Sequence, residues 1–240
     1  MGNYSRKKYI ISNGLSNLTA YFQDLTIKLA SLSRNDFGSD GVAVQSICNG
    51  LRQQKNLHYF ALDVIAPDGA ALDISEYPCR IATVHQSLRS ISLVNSRISH
   101  SAMQIICNAL QSPSSYLTAL NFRFSFLDTK NIFMLSKALE INRTLVKLDL
   151  SKNGLSPICG VYIMKAIREN IILTDLNLSA NFLDDEFANE FARTLKYNDT
   201  LWRVDISDNP IGRQGAESLL KAIEEDNESL ESLGDQLDKY

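Results

Sequence analysis

Several features that mark enzymes and membrane proteins are missing from this chain of 240 residues. It has only three histidines, and none is spaced from another as the ligands of one metal ion are. It contains no G-x-S-x-G, no H-E-x-x-H and no glycine-rich phosphate loop. No apolar run approaches the roughly 20 residues of a membrane-spanning helix. These absences predict a protein with no catalytic residues, no cofactor, no metal site and no stable membrane insertion.

Cysteine is also scarce, and its spacing excludes the usual frameworks. The four cysteines, Cys48, Cys79, Cys107 and Cys159, lie far apart with no C-x-x-C pair. Such residues are expected to be reduced and buried as small hydrophobic groups, because neither a disulfide scaffold nor a zinc site fits the spacing. The N-terminal residues lack the apolar core of a secretory signal. We therefore expect a cytoplasmic location, or export into a host cytosol without a cleaved signal peptide.

The charge distribution argues against nucleic acid as a partner. The net charge is −3. Residues 1–55 carry seven basic and three acidic side chains, whereas residues 181–240 carry six basic and fifteen acidic ones. A nucleic-acid-binding domain would show a dominant basic surface instead. The simplest interpretation of the acidic end is a solvated terminal face.

A repeated pattern dominates the second half of the chain. The stretches LVKLDLSKNGL, LTDLNLSANFL and LWRVDISDNPI begin at Leu145, Leu173 and Leu201, so each starts 28 residues after the last. Each has the form L-x-x-L-x-L-x-x-N-x-L. The alternation of apolar and polar residues at its centre predicts a short strand with one buried face. A helix should follow, because Ile163, Ala166 and Ile167 have the i, i+3, i+4 spacing of one helical face.

Two columns of asparagine accompany the repeat. Asn153, Asn181 and Asn209 stand where the chain should turn away from the strand, and each amide is expected to hydrogen-bond turn backbone. A second column ends each helix, where asparagine is favoured because it tolerates left-handed backbone. We therefore expect a helix to end just before each of Asn142, Asn170, Asn198 and Asn227.

With this pattern, the sequence resembles the leucine-rich-repeat family, and the period of about 28 is typical of its ribonuclease-inhibitor-like subclass. Four more degenerate copies precede the clear ones. The resemblance implies an α/β solenoid of about seven repeats, a horseshoe with a concave parallel β-sheet and convex helices. We expect an N-terminal cap over 1–26, repeats over 27–229 and a C-terminal cap or acidic tail over 230–240. The repeats should start near residues 27, 57, 88, 117, 145, 173 and 201.

The polar strand positions should face the concave side, where a wide and shallow surface suits a protein partner. The Asp, Asn and Ser columns follow the consensus and mostly report the fold. Off-consensus residues are more informative, and Trp and Arg are the types richest in interface hot spots. The simplest alternative for the only tryptophan is partial burial against the C-terminal cap. The candidate partner-binding residues are Trp202, Arg203, Asp205, Asn177, Asp149, Lys152, Arg123, Phe124 and Tyr59.

The resemblance implies a non-catalytic, monomeric module that binds a protein partner on its concave face. Members of the subclass act as inhibitors, scaffolds and regulators, and some are effectors of intracellular bacteria. The glutamate-rich stretch Glu224–Glu228, with Glu231, resembles C-terminal export signals of such effectors. An effector acting on a host protein is therefore one prediction.

Two alternatives and one modification stay open. A scaffold of cytoskeletal or axonemal assemblies fits the same fold. A small-GTPase-activating protein would need a catalytic arginine on a strand-to-helix loop, where Arg97 and Arg213 lie outside any matching motif. Gly2 with the basic residues 6–8 suggests N-terminal myristoylation, but Arg6 stands where that motif has Ser or Thr.

Overall fold

A computed structural model describes residues 29–35, 42–54, 56–64, 76–84 and 87–234. The expected N-terminal cap over 1–26, the lipidation site at Gly2 and the end of the expected tail, 235–240, lie outside these ranges. Strands and helices alternate along the described chain. They are β1 (Leu29–Asn35), α1 (Val42–Leu51), β2 (Tyr59–Val64), α2 (Glu76–Val84), β3 (Ser90–Val94), α3 (His100–Gln111), β4 (Ala119–Asn121), α4 (Thr129–Ile141), β5 (Lys147–Asp149), α5 (Pro157–Glu169), β6 (Asp175–Asn177), α6 (Asp185–Leu195), β7 (Arg203–Asp205) and α7 (Arg213–Asp226).

The strands form one parallel sheet in the order β1-β2-β3-β4-β5-β6-β7. The register follows the repeat, because Leu120 pairs with Leu148 and Leu148 pairs with Leu176. Beyond β7, Ser232 forms an isolated parallel bridge with Arg203. Neighbouring strands lie about 4.8 Å apart, whereas packed helices need about 10 Å. The coil must therefore bend with the sheet inward, which confirms the predicted solenoid.

A continuous apolar core lies between the sheet and the helices. The leucine that opens each of the repeats starting at 57, 88, 117, 145, 173 and 201 is buried, and so is the central residue of β4 to β7. The largest fully buried side chains include Phe60, Phe122, Phe187 and Phe191. Since each repeat buries its apolar face only against its neighbours, the stability of the solenoid comes from the interfaces between adjacent repeats.

The four cysteines are free and buried in this core, as predicted. Burial raises the pKa of the Cys107 thiol to about 12. Burial also raises the pKa values of Cys48 and Cys79. A thiol that stays protonated is a poor nucleophile, so these groups act as small hydrophobic side chains.

The first asparagine column binds turn backbone as the sequence predicts. The Nδ2 of Asn181 donates to the carbonyl oxygens of Leu150 (3.3 Å) and Leu178 (2.8 Å). Its Oδ1 accepts from the backbone N–H groups of Asn153 (3.0 Å) and Leu155 (3.0 Å). One amide therefore joins the strand-to-helix turns of two consecutive repeats.

The second asparagine column ends helices as predicted, but with extended backbone. Asn142 (φ −67°), Asn170 (φ −89°) and Asn227 (φ −140°) are the C-cap residues of α4, α5 and α7, so tolerance of left-handed backbone is not the reason for asparagine there. The side chain explains their presence instead. The Nδ2 of Asn170 donates to the carbonyl of Leu139 (2.7 Å) in the preceding repeat, and its Oδ1 accepts from the N–H of Leu173 (2.8 Å). Asn198 makes equivalent bonds.

Left-handed backbone occurs one position before the first asparagine column. Five residues there have φ between 54° and 58°, namely Asn95, Phe124, Lys152, Ala180 and Asp208. At the position directly after the first asparagine column, Phe126 (φ 53°) and Gly154 (φ 67°) are also left-handed. This conformation costs an L-residue other than glycine roughly 1–2 kcal/mol, and Asn and Asp tolerate it best. Large aromatic residues are uncommon there.

Candidate functional site

The concave face carries an open groove of about 590 Å³ across β4 to β7. The sheet forms its floor, and the groove ends at the bridge beyond β7. Two rows of side chains line it, one from the first residue of each of these strands and one from the third. Every second residue of a strand points to the same face, so both rows face the groove. The residues that line it include Asn121, Lys147, Asp149, Asp175, Asn177, Arg203, Asp205, Ser207 and Gly234.

Charges of alternating sign form the row at the start of the strands. Lys147, Asp175 and Arg203 are register partners on β5, β6 and β7. The Nζ of Lys147 lies 3.5 Å from Oδ1 of Asp175. The sequence analysis missed Lys147 and Asp175, although each lies two residues before a predicted concave residue. Period-two alternation, extended one step towards the start of the strand, identifies both.

The central row is fixed by hydrogen bonds at the end of each strand. The Oδ1 of Asp149 accepts from the N–H (2.9 Å) and the hydroxyl (2.6 Å) of Ser151. Asn177 is held in the same way by Ser179. Asp205 is likewise held by the serine two residues on. These side chains stabilise the turn after the strand and present a half-buried, rigid polar surface to the groove.

Trp202 lies at the margin of the groove, outside its lining residues. Its side chain is 42% exposed. The guanidinium carbon of Arg203 lies 4.7 Å from the Trp202 ring centroid, which is cation–π distance. The Trp202 carbonyl accepts from the backbone N–H of Glu231 (2.9 Å) and Ser232 (3.2 Å). The closing segment therefore holds the backbone of this residue and leaves much of its ring accessible.

The other candidate residues lie outside the groove lining. Arg123, Phe124 and Lys152 occupy the strand-to-helix turns that follow β4 and β5, and all three are exposed. Tyr59 is half-buried on β2, two strands away from β4. The structure thus gathers Asp149, Asn177, Arg203 and Asp205 around one groove, and separates the remaining candidates from it.

The described ranges contain neither a metal-binding cluster nor a membrane-spanning helix. Among those residues, no group of three or more His, Cys, Asp and Glu side chains is placed to hold a metal ion. None of the helices formed by the same residues is long and apolar enough to cross a bilayer.

Comparison with known proteins gives matches to repeat proteins. The family described as "Leucine Rich repeat" matches residues 142–158 and 197–220. Mouse "Ribonuclease inhibitor" is 25% identical over 207 residues, covering 84% of this chain and 44% of that protein. Human "NACHT, LRR and PYD domains-containing protein 13" is 29% identical over 220 residues, covering 88% of this chain and 21% of that protein. The chain spans less than half the length of these relatives.

A solved structure titled "Leiomodin-1 Actin-Binding Site 2 (ABS2)" covers 55% of this chain and 75% of its own, with 21% identity and a TM-score of 0.49. The sequence repeat and the seven-stranded solenoid carry more weight than this partial superposition. Both features agree with the match to the family and with the similarity to ribonuclease inhibitor. The repeat, the solenoid and these matches together make the chain similar to leucine-rich-repeat proteins, and among them to ribonuclease inhibitor.

Proposed function

We propose that this chain is a non-catalytic module that binds a partner protein in the concave groove between β4 and β7. The open groove, with its row of alternating charges, is the observation that carries the proposal. A small-molecule site encloses most of its ligand between facing walls. A single sheet face covers one side of a ligand only, which suits the surface of another protein.

The electrostatics of the groove favour one orientation of the partner. Lys147, Asp175 and Arg203 present positive, negative and positive charge on successive strands. Complementary charges on a partner fix its register and exclude partners with the wrong pattern. The central row is already immobilised by its serine partners, so little side-chain entropy is lost on binding. Arg203 and Trp202 supply the residue types most often found in interface hot spots.

The proposed place of action is the cytoplasm, and the free, buried cysteines of the described chain are consistent with a reducing compartment. A role as an effector on a host protein stays a prediction from the sequence, as do the scaffold and GTPase-activating alternatives. Glu224 and Glu225, which suggested an export signal, are exposed residues of α7 in the last repeat.

Trp202→Ala is expected to reduce capture of the partner at least tenfold, because truncating a hot-spot aromatic typically costs about 2 kcal/mol or more of binding free energy. The measurement is quantitative mass spectrometry of proteins retained from a cell lysate by the immobilised chain. Tyr197→Ala is the matched control, since this exposed aromatic residue follows α6, whereas Trp202 stacks on Arg203 of the groove lining. Equal capture by wild type and Trp202→Ala would contradict the proposal, as would the absence of any retained protein.

A further inference from the structure

A second surface of interest lies on the strand-to-helix turns, outside the concave groove. Phe124, Phe126 and Phe182 are 46%, 49% and 65% exposed there. The ring centroids of Phe124 and Phe126 lie 5.2 Å apart. We call these three residues the aromatic edge. Exposed aromatic side chains grouped on one edge of a protein are typical of an interaction surface.

Two residues of the aromatic edge adopt an unfavourable backbone. Phe124 and Phe126 are both left-handed, whereas the equivalent positions elsewhere include Asn95 and Gly154, which tolerate that conformation better. Burial does not explain the aromatic rings, because about half of each ring is exposed. Hydrogen bonds of neighbouring repeats impose this backbone, so an exposed aromatic residue there carries strain that Asn or Gly would reduce, and strain of this kind often marks a functional site.

The aromatic edge continues across the intervening repeat. Phe126, Gly154 and Phe182 occupy the same column of successive repeats. A Cβ atom placed on Gly154 would lie 3.5 Å from Cε2 of Phe182, so the Phe182 ring reaches over this glycine. The missing side chain at Gly154 leaves a flat apolar path between the two phenylalanines.

Three exposed cations surround one end of this path. Arg97 lies one repeat before Phe126, and Arg123 and Lys152 flank Phe124. Backbone hydrogen bonds link these turns, since the N–H of Phe124 donates to the Ser151 carbonyl at 2.9 Å.

Their charges are not neutralised locally. Within the described residues, none of these three cations forms an ion pair. Other exposed cations, such as Arg80 and Arg213, do pair with a carboxylate on their own helix.

We propose that the aromatic edge and these three cations bind a short acidic protein segment that carries an aromatic or aliphatic anchor. The acidic residues of the segment lie at Arg97, Arg123 and Lys152, and its anchor lies on the path between Phe126 and Phe182. The surface is separate from the concave groove, so this inference does not depend on the function proposed above.

The charge distribution of the chain also favours a protein segment over a nucleic acid as the ligand of this surface. The chain carries a net charge of −3, and its C-terminal quarter, residues 181–240, is strongly acidic. Asp208, exposed one repeat beyond Phe182, would repel a phosphate backbone that continued along the edge. An acidic segment needs its charge only at one end, which matches the one-sided placement of the cations.

The test selects peptides that bind the full chain from a random display library of 12-residue peptides. The selected peptides are then synthesised, and their affinity is measured by fluorescence polarisation. We expect the selected peptides to carry at least two acidic residues beside Phe, Trp or Leu. Their affinity should fall at least tenfold in Phe124→Asn and in Lys152→Glu, and should be unchanged in Tyr197→Asn. The melting temperature of Phe124→Asn should not fall, because Asn95 has the same backbone conformation in the same column.

Four results would overturn this inference. The first is that the selection enriches no peptide, and the second is that the enriched peptides lack acidic residues. The third is that the affinity for the selected peptides is unchanged in Phe124→Asn. The fourth is that a fluorescent oligo(dT) binds more tightly than the peptides do. A loss of affinity in Trp202→Ala with none in Phe124→Asn would place the peptide in the concave groove. That outcome would support the proposed function and refute the second surface, so the two failures are distinguishable.

Discussion

Phe187→Ala is expected to lower the free energy of unfolding by about 3–5 kcal/mol, the range found when a buried phenylalanine is truncated in a packed core. Phe187 is fully buried on α6, and its ring lies 5.9 Å from that of Phe191. It also fills the space beside Gly160, where an added Cβ would come within 2.5 Å of Phe187 Cδ2. The side chain therefore joins α5 to α6, and its loss leaves a cavity at an interface between repeats.

Urea denaturation followed by circular dichroism measures this effect. Phe182→Ala is the matched control, because the same substitution five residues earlier removes a mostly exposed ring and should change the unfolding free energy by less than about 1 kcal/mol. Similar losses in the two variants would show that α5 and α6 do not pack as described.

Asn181→Ala is expected to cost about 3 kcal/mol of unfolding free energy. The substitution leaves buried backbone groups of two adjacent repeats without partners, among them the carbonyl of Leu178 and the N–H of Leu155. Each unsatisfied buried group costs about 1–3 kcal/mol, and partial entry of water offsets some of the total. Loss of one side chain should thus destabilise two adjacent repeats together.

Two further variants make this prediction specific. Asn189→Ala on α6 should change stability by less than about 0.5 kcal/mol, because this half-exposed residue has no hydrogen-bond role in the described structure. Asn181→Ser should lose less than Asn181→Ala, since Ser125 occupies the same column and donates to the Leu93 carbonyl at 2.6 Å. A loss below about 1 kcal/mol in Asn181→Ala would refute the structural role of this column.

Sheet order, register and core were predictable because one physical requirement repeats at a fixed period. Leu145, Leu173 and Leu201 each need burial, and a period of 28 residues brings them to the same depth in successive repeats. The role of Asn181 followed from the capacity of an amide to donate and accept at once. Such features depend on side-chain chemistry that the sequence states directly.

The backbone at the turns was not predictable in the same way. Phe124 and Lys152 have no intrinsic preference for left-handed conformation, and the hydrogen bonds of neighbouring repeats impose it. Asn170 belongs to a residue type that tolerates left-handed backbone, yet it needs an extended backbone for its amide to reach the preceding repeat. In both cases contacts between repeats override local preference.

The candidate site was predicted in part for a related reason. The strand pattern identified Asp149, Asn177 and Asp205, but the sequence could not show that their serine neighbours bind them. Stacking of Arg203 on Trp202 likewise depends on rotamers that no sequence pattern specifies. The sequence therefore predicted which residues lie on the concave face, whereas it did not predict which neighbour each side chain contacts.

Site-specific photo-crosslinking tests the central claim, that the concave groove contacts a partner protein. A benzophenone side chain would replace Lys147 in the groove or Lys165 on the outer helix α5 of the same repeat; both lysines are exposed. After irradiation in a cell lysate, we expect a discrete crosslinked protein with the probe at position 147 and none at position 165. Crosslinking only at position 165, or at neither position, would contradict the claim.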